Sequence, residues 1–257
     1  VTSALVGHSG FVGSTLKRQT FFDAHFRSTD IQDIVGQSFD LLVCAGAPAQ
    51  KWKANAEPDR DRATIDSLIE RLDTVTCDRF VLISTVDVFG SPVGVDEDDE
   101  VDVDGLHAYG ANRRRLEQFV QQRFPASTVV RLPGLVGPGL QKNVIFDLLH
   151  DNDLEAVDAR SVFQFYPMVN LWWDVRTAVA AGLDLVHLTA APVAVGELAS
   201  AAFGREFTNA LERTPAHYDF RTKHAEVFGA SGPYQYDVGD TILAIRAYAQ
   251  SAGAVSA

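Results

Sequence analysis

Apolar positions along this chain follow two patterns that take turns. Unbroken apolar runs, centred on Ala4-Leu5-Val6, Leu41-Leu42-Val43-Cys44, Phe80-Val81-Leu82-Ile83 and Val129-Val130, read as strands buried on both faces, which a parallel sheet demands. The later three extend over Phe39–Ala45, Arg79–Thr85 and Ser127–Leu132. Between the runs, apolar residues recur every three or four positions. Val12 and Leu16 mark one face of a first helix. Ile65, Leu68, Ile69 and Leu72 mark a second, which Glu57-Pro58-Asp59 opens with a proline and acids in its first turn. A third helix is expected from about Tyr109 to Phe124, where Pro125 stops it, and a short extended piece, Ala24–Ser28, follows the first helix. Strand and helix in alternation predict an α/β fold with a doubly wound parallel sheet.

Beyond Pro133 the alternation loosens. Gly134, Gly137, Pro138 and Gly139 interrupt the chain, Val144–Leu149 is helical in pattern, and Val162–Leu171 is aromatic and irregular. Helix then strand return within Asp174–Leu188, helical patterns follow at Val195–Phe203 and Val238–Ala249, and Ser251–Ala257 reads as a frayed tail. The expected organisation is a core over residues 1–133, with the remaining sheet elements and a small lobe over 134–257, the whole forming one compact unit. No internal repeat is visible.

Composition narrows the function classes. At 257 residues, 46% hydrophobic and 22% charged, the chain is long enough for one large α/β domain with an ordinary core. A net charge of −12 repels phosphate backbones and anionic membrane surfaces, so nucleic acid is not an expected partner. The most apolar tract, Val175 to Val195, carries Arg176, Asp184 and His187, and no membrane span is expected. No basic region precedes the first apolar run, which therefore reads as a strand and not as a signal peptide, and a cytoplasmic location is expected. The two cysteines, Cys44 and Cys77, have no metal-ligand spacing and point to a reducing compartment, with Cys44 as a small buried hydrophobe.

Two places carry candidate chemistry. The first strand runs through Gly7, Gly10 and Gly13 directly into the first helix. Lacking a Cβ, glycine permits φ > 0 in such a turn and lets a diphosphate approach the main-chain N–H groups of a helix N-terminus. The spacing is Gly-x-x-Gly-x-x-Gly and not Gly-x-Gly-x-x-Gly, and a tight connection alone would also use it. Its place at the head of the alternating pattern favours a dinucleotide site. The second place is Tyr109 and Arg113, four apart at a helix start, so that both project from one face, which Leu116 and Val120 continue into the core. A fixed cation beside a phenol favours the phenolate and lowers its pKa from about 10, which suits proton exchange. The strand end Ile83-Ser84-Thr85 adds a hydroxyl where catalytic groups of α/β sheets collect. On spacing alone, a helix-start tyrosine with Arg113 solvated in the run Arg113-Arg114-Arg115 stays open.

Together these pieces resemble the extended short-chain dehydrogenase/reductases, also described as the NAD-dependent epimerase/dehydratase family, over nearly the whole chain. The matching segments are Gly7-x-x-Gly10-x-x-Gly13, Val43-x-Ala45-Gly46-Ala47, Ser84-Thr85-x-x-Val88-Phe89-Gly90, Tyr109-Gly110-x-x-Arg113 and Arg131-Leu132-Pro133-Gly134-x-x-Gly137-Pro138-Gly139. The interval from Thr85 to Tyr109 also agrees with the family's hydroxyl-to-tyrosine spacing. The resemblance implies a Rossmann-type sheet with a small C-terminal substrate lobe. It further implies an NAD(P)-dependent oxidoreductase or epimerase acting on a sugar nucleotide or another small carbonyl or alcohol, as a monomer or homodimer. Thr85 would orient the substrate oxygen, Tyr109 would exchange a proton as hydride moves to or from nicotinamide C4, and Asn143 would contact the substrate. Gly7, Gly10, Phe11, Val12 and Gly13 would line the cofactor, as would Ala45, Gly46, Ala47, Arg113 and Pro133.

One departure matters. The family has Tyr-x-x-x-Lys, and here Arg113 holds the lysine position. Arginine keeps the charge but presents a bulkier planar fork, so a second expectation stands beside the first: a dinucleotide-binding protein with little or no catalysis. After the second strand, an acid would grip the ribose 2′-hydroxyl of NAD and a cation the 2′-phosphate of NADP. Arg27 and Ser28 favour NADP there and Asp30 leans to NAD, so NADP is expected, with NAD as the alternative. The acidic run Asp96–Asp104 imitates half of an EF-hand loop, but Ala111 stands where the bidentate glutamate belongs. It reads as a solvated loop, and no metal is expected. His8, His107, His217 and His224 show no ligand spacing and read as loop or surface residues. Trp172-Trp173-Asp174-Val175 resembles the family's apolar-Asp-Val element and is expected in the core.

Overall fold

The computed structural model describes residues 2–252, so the end of the expected tail lies outside the described residues. The chain divides into two compact units. The first holds the chain up to Gly90, then Asp99–Arg131 and Trp172–Val186; the second holds Ser91–Asp98, Leu132–Leu171 and the chain from His187 on.

The first unit is built on β1 (Ser3–Val6), α1 (Phe11–Gln19), β2 (Ala24–Phe26), β3 (Ser38–Cys44), α2 (Lys51–Ala56), α3 (Pro58–Asp73), β4 (Thr76–Thr85), α4 (Ala108–Arg123), β5 (Ser127–Leu132), α5 (Leu171–Ala180) and β6 (Leu185–His187). The six strands form one parallel sheet in the order β6-β5-β4-β3-β1-β2, the Rossmann-type, doubly wound arrangement that the alternation predicts. Leu5 lies opposite His25 of β2 and Val43 of β3, and Leu42 lies opposite Phe80 of β4. Leu42, Phe80 and Leu82 from the sheet meet Ile65 and Leu72 of α3 and Leu116 and Val120 of α4 in one core. Burying each such side chain stabilises by about 1.5–3 kcal/mol. Phe80 also stacks on Phe124, with ring centroids 4.5 Å apart.

After β2 the chain crosses over β1 and pairs β3 on its other side, so the strand order switches direction between β1 and β3. A crevice opens at the carboxyl ends of such strands, and Gly7 and Ala45 stand there. The Gly7 N–H continues the ladder to Phe26 O at 2.7 Å, and that of Ala45 to Val6 O at 2.9 Å.

Several elements differ from expectation. β4 begins at Thr76 and not at the expected Arg79, because its first residues, which alternate exposed and half-buried and lack an apolar run, are held by pairing with β3. α2 has no apolar stripe and buries only Ala54. Trp173 is not in the core: it is 68% exposed, whereas Trp172 packs edge-on against Phe22 at 5.8 Å and Asp174 and Val175 are buried. Cys44 is buried, as expected, and burial pushes its thiol up to about 11.

The second unit contains three short strand pairs, Gly134–Val136 with Phe165–Pro167, Val162–Phe163 with Val193–Ala194, and Val93–Val95 with Asp219–Phe220. Helices Val144–His150, Val195–Phe203 and Val238–Ser251 accompany them. Buried Gln164 donates to Thr189 Oγ1, Ala190 O and Phe220 O at 3.0, 2.7 and 2.7 Å and accepts from Phe220 N at 2.7 Å. The acidic run is only partly a solvated loop. Glu97 accepts from His187 N at 2.8 Å, Thr222 Oγ1 at 2.6 Å and Lys223 N at 2.9 Å, while Asp98, Asp99 and Glu100 are exposed. Among the described residues no helix is long and apolar enough to cross a membrane, and no three His, Cys, Asp or Glu side chains gather to hold a metal ion.

Candidate active site

The glycine turn is shaped by close main-chain approach. Gly7 has φ +83°, and a Cβ there would lie 2.3 Å from Ala45 O. One on Gly13 would lie 2.1 Å from Gly7 O, so both positions exclude any side chain. Gly10 differs, because a Cβ there meets nothing nearer than Gly7 O at 3.6 Å and would project into open space. Gly10 is also the N-cap of α1, which starts with no side-chain cap and no acid in its first turn. The first-turn N–H groups of a helix lack intrahelical acceptors, and the helix dipole favours an anion beside them. The turn therefore fits a dinucleotide's diphosphate. Phe11, Val12, Ala45, Gly46 and Ala47 are all half-exposed around it.

Thr85 ends β4 and Tyr109 lies in the first turn of α4. Their approach depends on Gly110, where a Cβ would sit 2.1 Å from Asp87 O. The helix is capped by His107, whose Nδ1 accepts from Gly110 N at 3.0 Å. Tyr109 N donates to Asn55 Oδ1 of α2 at 3.0 Å, and its phenol is close enough to the Thr85 side chain for that hydroxyl to bear on its ionisation. The phenol is pushed above its usual range, opposite to the expectation from Arg113 alone. Burial raises it most, the Arg113 charge lowers it, Asp87 raises it, and the Thr85 hydroxyl and Lys51 lower it. Desolvation of a phenolate outweighs the nearby cation.

Arg113 is not a solvated charge. It is 3% exposed, stands 4.0 Å over the Tyr109 ring, and pairs with Asp61 of α3, which also accepts from Asn112 Nδ2 at 2.8 Å. Its other arm donates to the carbonyl of Pro48, and its buried Nε has no hydrogen-bond partner. The guanidinium thus braces α3 and α4 against the loop after β3. Lys51 Nζ lies 2.7 Å from Asp87 Oδ1, and Asp87 N donates to Thr85 Oγ1 at 3.1 Å.

A second buried cluster fixes the strand end. Glu117 of α4, fully buried, accepts from Ser84 Oγ at 2.6 Å, from Arg131 Nε and Nη2 of β5 at 3.0 and 2.8 Å, and from Arg114 Nη1 at 2.9 Å. Ser84 precedes Thr85, so this carboxylate helps set where the Thr85 hydroxyl stands.

Sequence reading singled out neither Lys51, Asn55, Asp61, Asp87 nor Glu117. Asp87 lay inside a matched segment, but no local pattern marks the others. At the end of β2, Arg27 is exposed, with Nε 3.5 Å from Asp30 Oδ2, and Asp30 Oδ1 accepts the Arg27 N–H at 2.6 Å. His8 of the glycine turn meets His25 of β2 edge-on at 5.5 Å. Asn143 and Pro133 belong to the second unit, where Pro133 is buried. Asn143 caps a helix: its Oδ1 accepts from Ile145 N and Phe146 N at 3.0 and 3.3 Å, and its Nδ2 donates to Leu135 O at 2.9 Å.

Comparison with known proteins adds the fold. No protein-family model and no curated protein matches the chain. Solved structures do. A dTDP-4-dehydrorhamnose reductase from Clostridium acetobutylicum is 16% identical with a TM-score of 0.74, covering 98% of this chain and 100% of that one. WbmG from Bordetella bronchiseptica, in complex with NAD, is 14% identical with a TM-score of 0.78, covering 98% and 95%. RMD from Pseudomonas aeruginosa, complexed with NADPH, is 15% identical with a TM-score of 0.71, covering 98% and 100%.

Proposed function

We propose that the chain is an NAD(P)-dependent oxidoreductase or epimerase of the extended short-chain dehydrogenase type, with a sugar nucleotide or a similar small carbonyl compound as substrate and NADP as preferred cofactor. The observation that carries this reading is the juxtaposition of the Thr85 and Tyr109 side chains at the carboxyl end of β4. It belongs to the same sheet whose switch point carries the glycine turn. The solved structures of like fold bound to NAD and NADPH support the cofactor class.

The cofactor, when bound, supplies or takes hydride at its nicotinamide ring. The chain's part is to bind, orient and move a proton. The first turn of α1 would hold the diphosphate, Arg27 would meet a 2′-phosphate, and Thr85 would fix the substrate oxygen. Because burial holds the phenol above its usual range, Tyr109 rests protonated at neutral pH and acts as the acid in the reducing direction. The binding-only alternative draws on one observation, the immobilised Arg113 at a position where a lysine was expected.

The deciding experiment is turnover of keto-sugar nucleotides with NADPH and NADH. Tyr109→Phe should lower kcat about a hundred- to ten-thousand-fold with cofactor affinity nearly unchanged. Native turnover that survives Tyr109→Phe would refute the mechanism. Binding without turnover over a broad panel would leave the binding module.

A further inference from the structure

A group that gives up a proton must recover it before the next cycle, and Tyr109 is buried. Arg113 is unsuited to return it. A guanidinium does not lose its proton in proteins, and this one is held by Asp61 and by the carbonyls of Pro48 and Tyr109. The Pro48 carbonyl it grips belongs to the loop that leads into α2 and Lys51. Lys51 is an ammonium, a group that can lose a proton and regain it. Its Nζ lies 2.7 Å from Asp87 Oδ1, and the Asp87 N–H reaches Thr85 Oγ1 at 3.1 Å. Lys51 thus stands at one end of a polar chain whose other end is the Thr85–Tyr109 pair. Exposure rises along it, from 8% at Tyr109 to 19% for the Asp87 side chain and 39% for that of Lys51.

Building on the reading of Tyr109 as proton donor, we propose that Lys51 is the group through which Tyr109 recovers its proton from solvent. The Tyr109 O–H bond breaks as its proton goes to the substrate oxygen left negative by hydride from a dihydronicotinamide. The phenolate then gains a proton that an N–H of Lys51 releases through intervening water, and the neutral amine regains one from a buffer acid. Other groups face Tyr109: the charges of Arg113 of α4 with Asp61 of α3 behind it and of Asp87 after β4, and the ring of His107, 6.3 Å from that of Tyr109. Lys51 acts through Tyr109 and not on the substrate, which makes it a positioning residue.

Two measurements test this. In the cofactor-free chain, Tyr109 is titrated by NMR on ring-labelled tyrosine, with Tyr109→Phe identifying its signal. Lys51→Met should move the midpoint to higher pH, and Lys51→Arg, which keeps the charge, should leave it in place. A midpoint indifferent to Lys51→Met overturns the proposal. In turnover of a keto-sugar nucleotide with NADPH, Lys51→Met should lower kcat about tenfold or more with KM little changed. Lys51→Arg should be as slow, and methylamine, unlike guanidine, should restore rate to Lys51→Ala. Full kcat in Lys51→Arg, or no restoration by the amine, overturns proton return by Lys51. Turnover abolished by Tyr109→Phe yet untouched by Lys51→Met sinks this proposal alone. A native chain without turnover, or indifferent to Tyr109→Phe, sinks the reading beneath it as well.

Discussion

Replacing Glu117 by glutamine keeps the shape of the side chain and removes its charge. The native carboxylate satisfies two donors of Arg131, one of Ser84 and one of Arg114. Glutamine offers one acceptor oxygen in place of two, and Arg131, 1% exposed, keeps a positive charge that has lost its counter-ion. Removing one partner of a buried pair costs about 3–5 kcal/mol, mostly because the other charge is left uncompensated. Against a domain stability of roughly 5–15 kcal/mol, that is a large fraction. Urea unfolding should show a lower midpoint with the slope unchanged. Glu117→Met with Arg131→Met, which removes both charges, should lose less than either single change. A loss below about 1 kcal/mol for Glu117→Gln, or strict additivity of the methionine pair, would refute the reasoning. On the proposed mechanism the same change should slow turnover in whatever protein remains folded, because Glu117 holds Ser84 beside Thr85 and small misplacements at a reacting centre are costly.

Gly13→Ala should destabilise the chain, because its Cβ would meet Gly7 O at 2.1 Å, whereas Gly10→Val should melt near the native temperature and lose dinucleotide affinity by calorimetry. NADP should bind at least several-fold tighter than NAD, and Arg27→Ala should erase that gap, since each charge-assisted bond to the 2′-phosphate contributes about 1.5–3 kcal/mol; equal native affinities would point to Asp30 instead. Tyr109, Tyr234 and Tyr248 are all held above the usual phenol range, each chiefly by burial and Tyr234 to about 12. The stability they carry is complete below the unfolded value of about 10 and is lost as pH rises through the folded values, so unfolding midpoints should fall above pH ~10 and Tyr234→Phe should flatten that fall.

The parts of the fold that were legible are those whose signal is local. The apolar run of β5 and the periodicity of the helix Val195–Phe203 were read with the bounds the structure shows. β4 was read short because its polar beginning is held by pairing with β3, not by its own residues. The strand pairs of the second unit are two or three residues long and exist through partners far along the chain. Of the candidate site, Thr85, Tyr109 and the glycine turn stand out in the sequence as motifs. Asp61 was not, since it meets Arg113 across 52 residues and nothing near Pro58 announces a buried carboxylate. The direction of the Tyr109 shift escaped for the same reason: spacing places a cation beside a phenol but says nothing of how much water surrounds it.

Arg113 spans three elements at once, and that couples positions that a motif treats as separate. Its contacts tie residue 61, residue 113 and the loop at Pro48 into one mechanical unit. Lysine at 113 has no fork with which to hold Asp61 and the Pro48 carbonyl together, so Arg113→Lys would loosen the loop that carries Lys51. Relatives sharing this arrangement should therefore show arginine at 113 together with the acid at 61, and should be sorted by that pair rather than by the tyrosine motif alone.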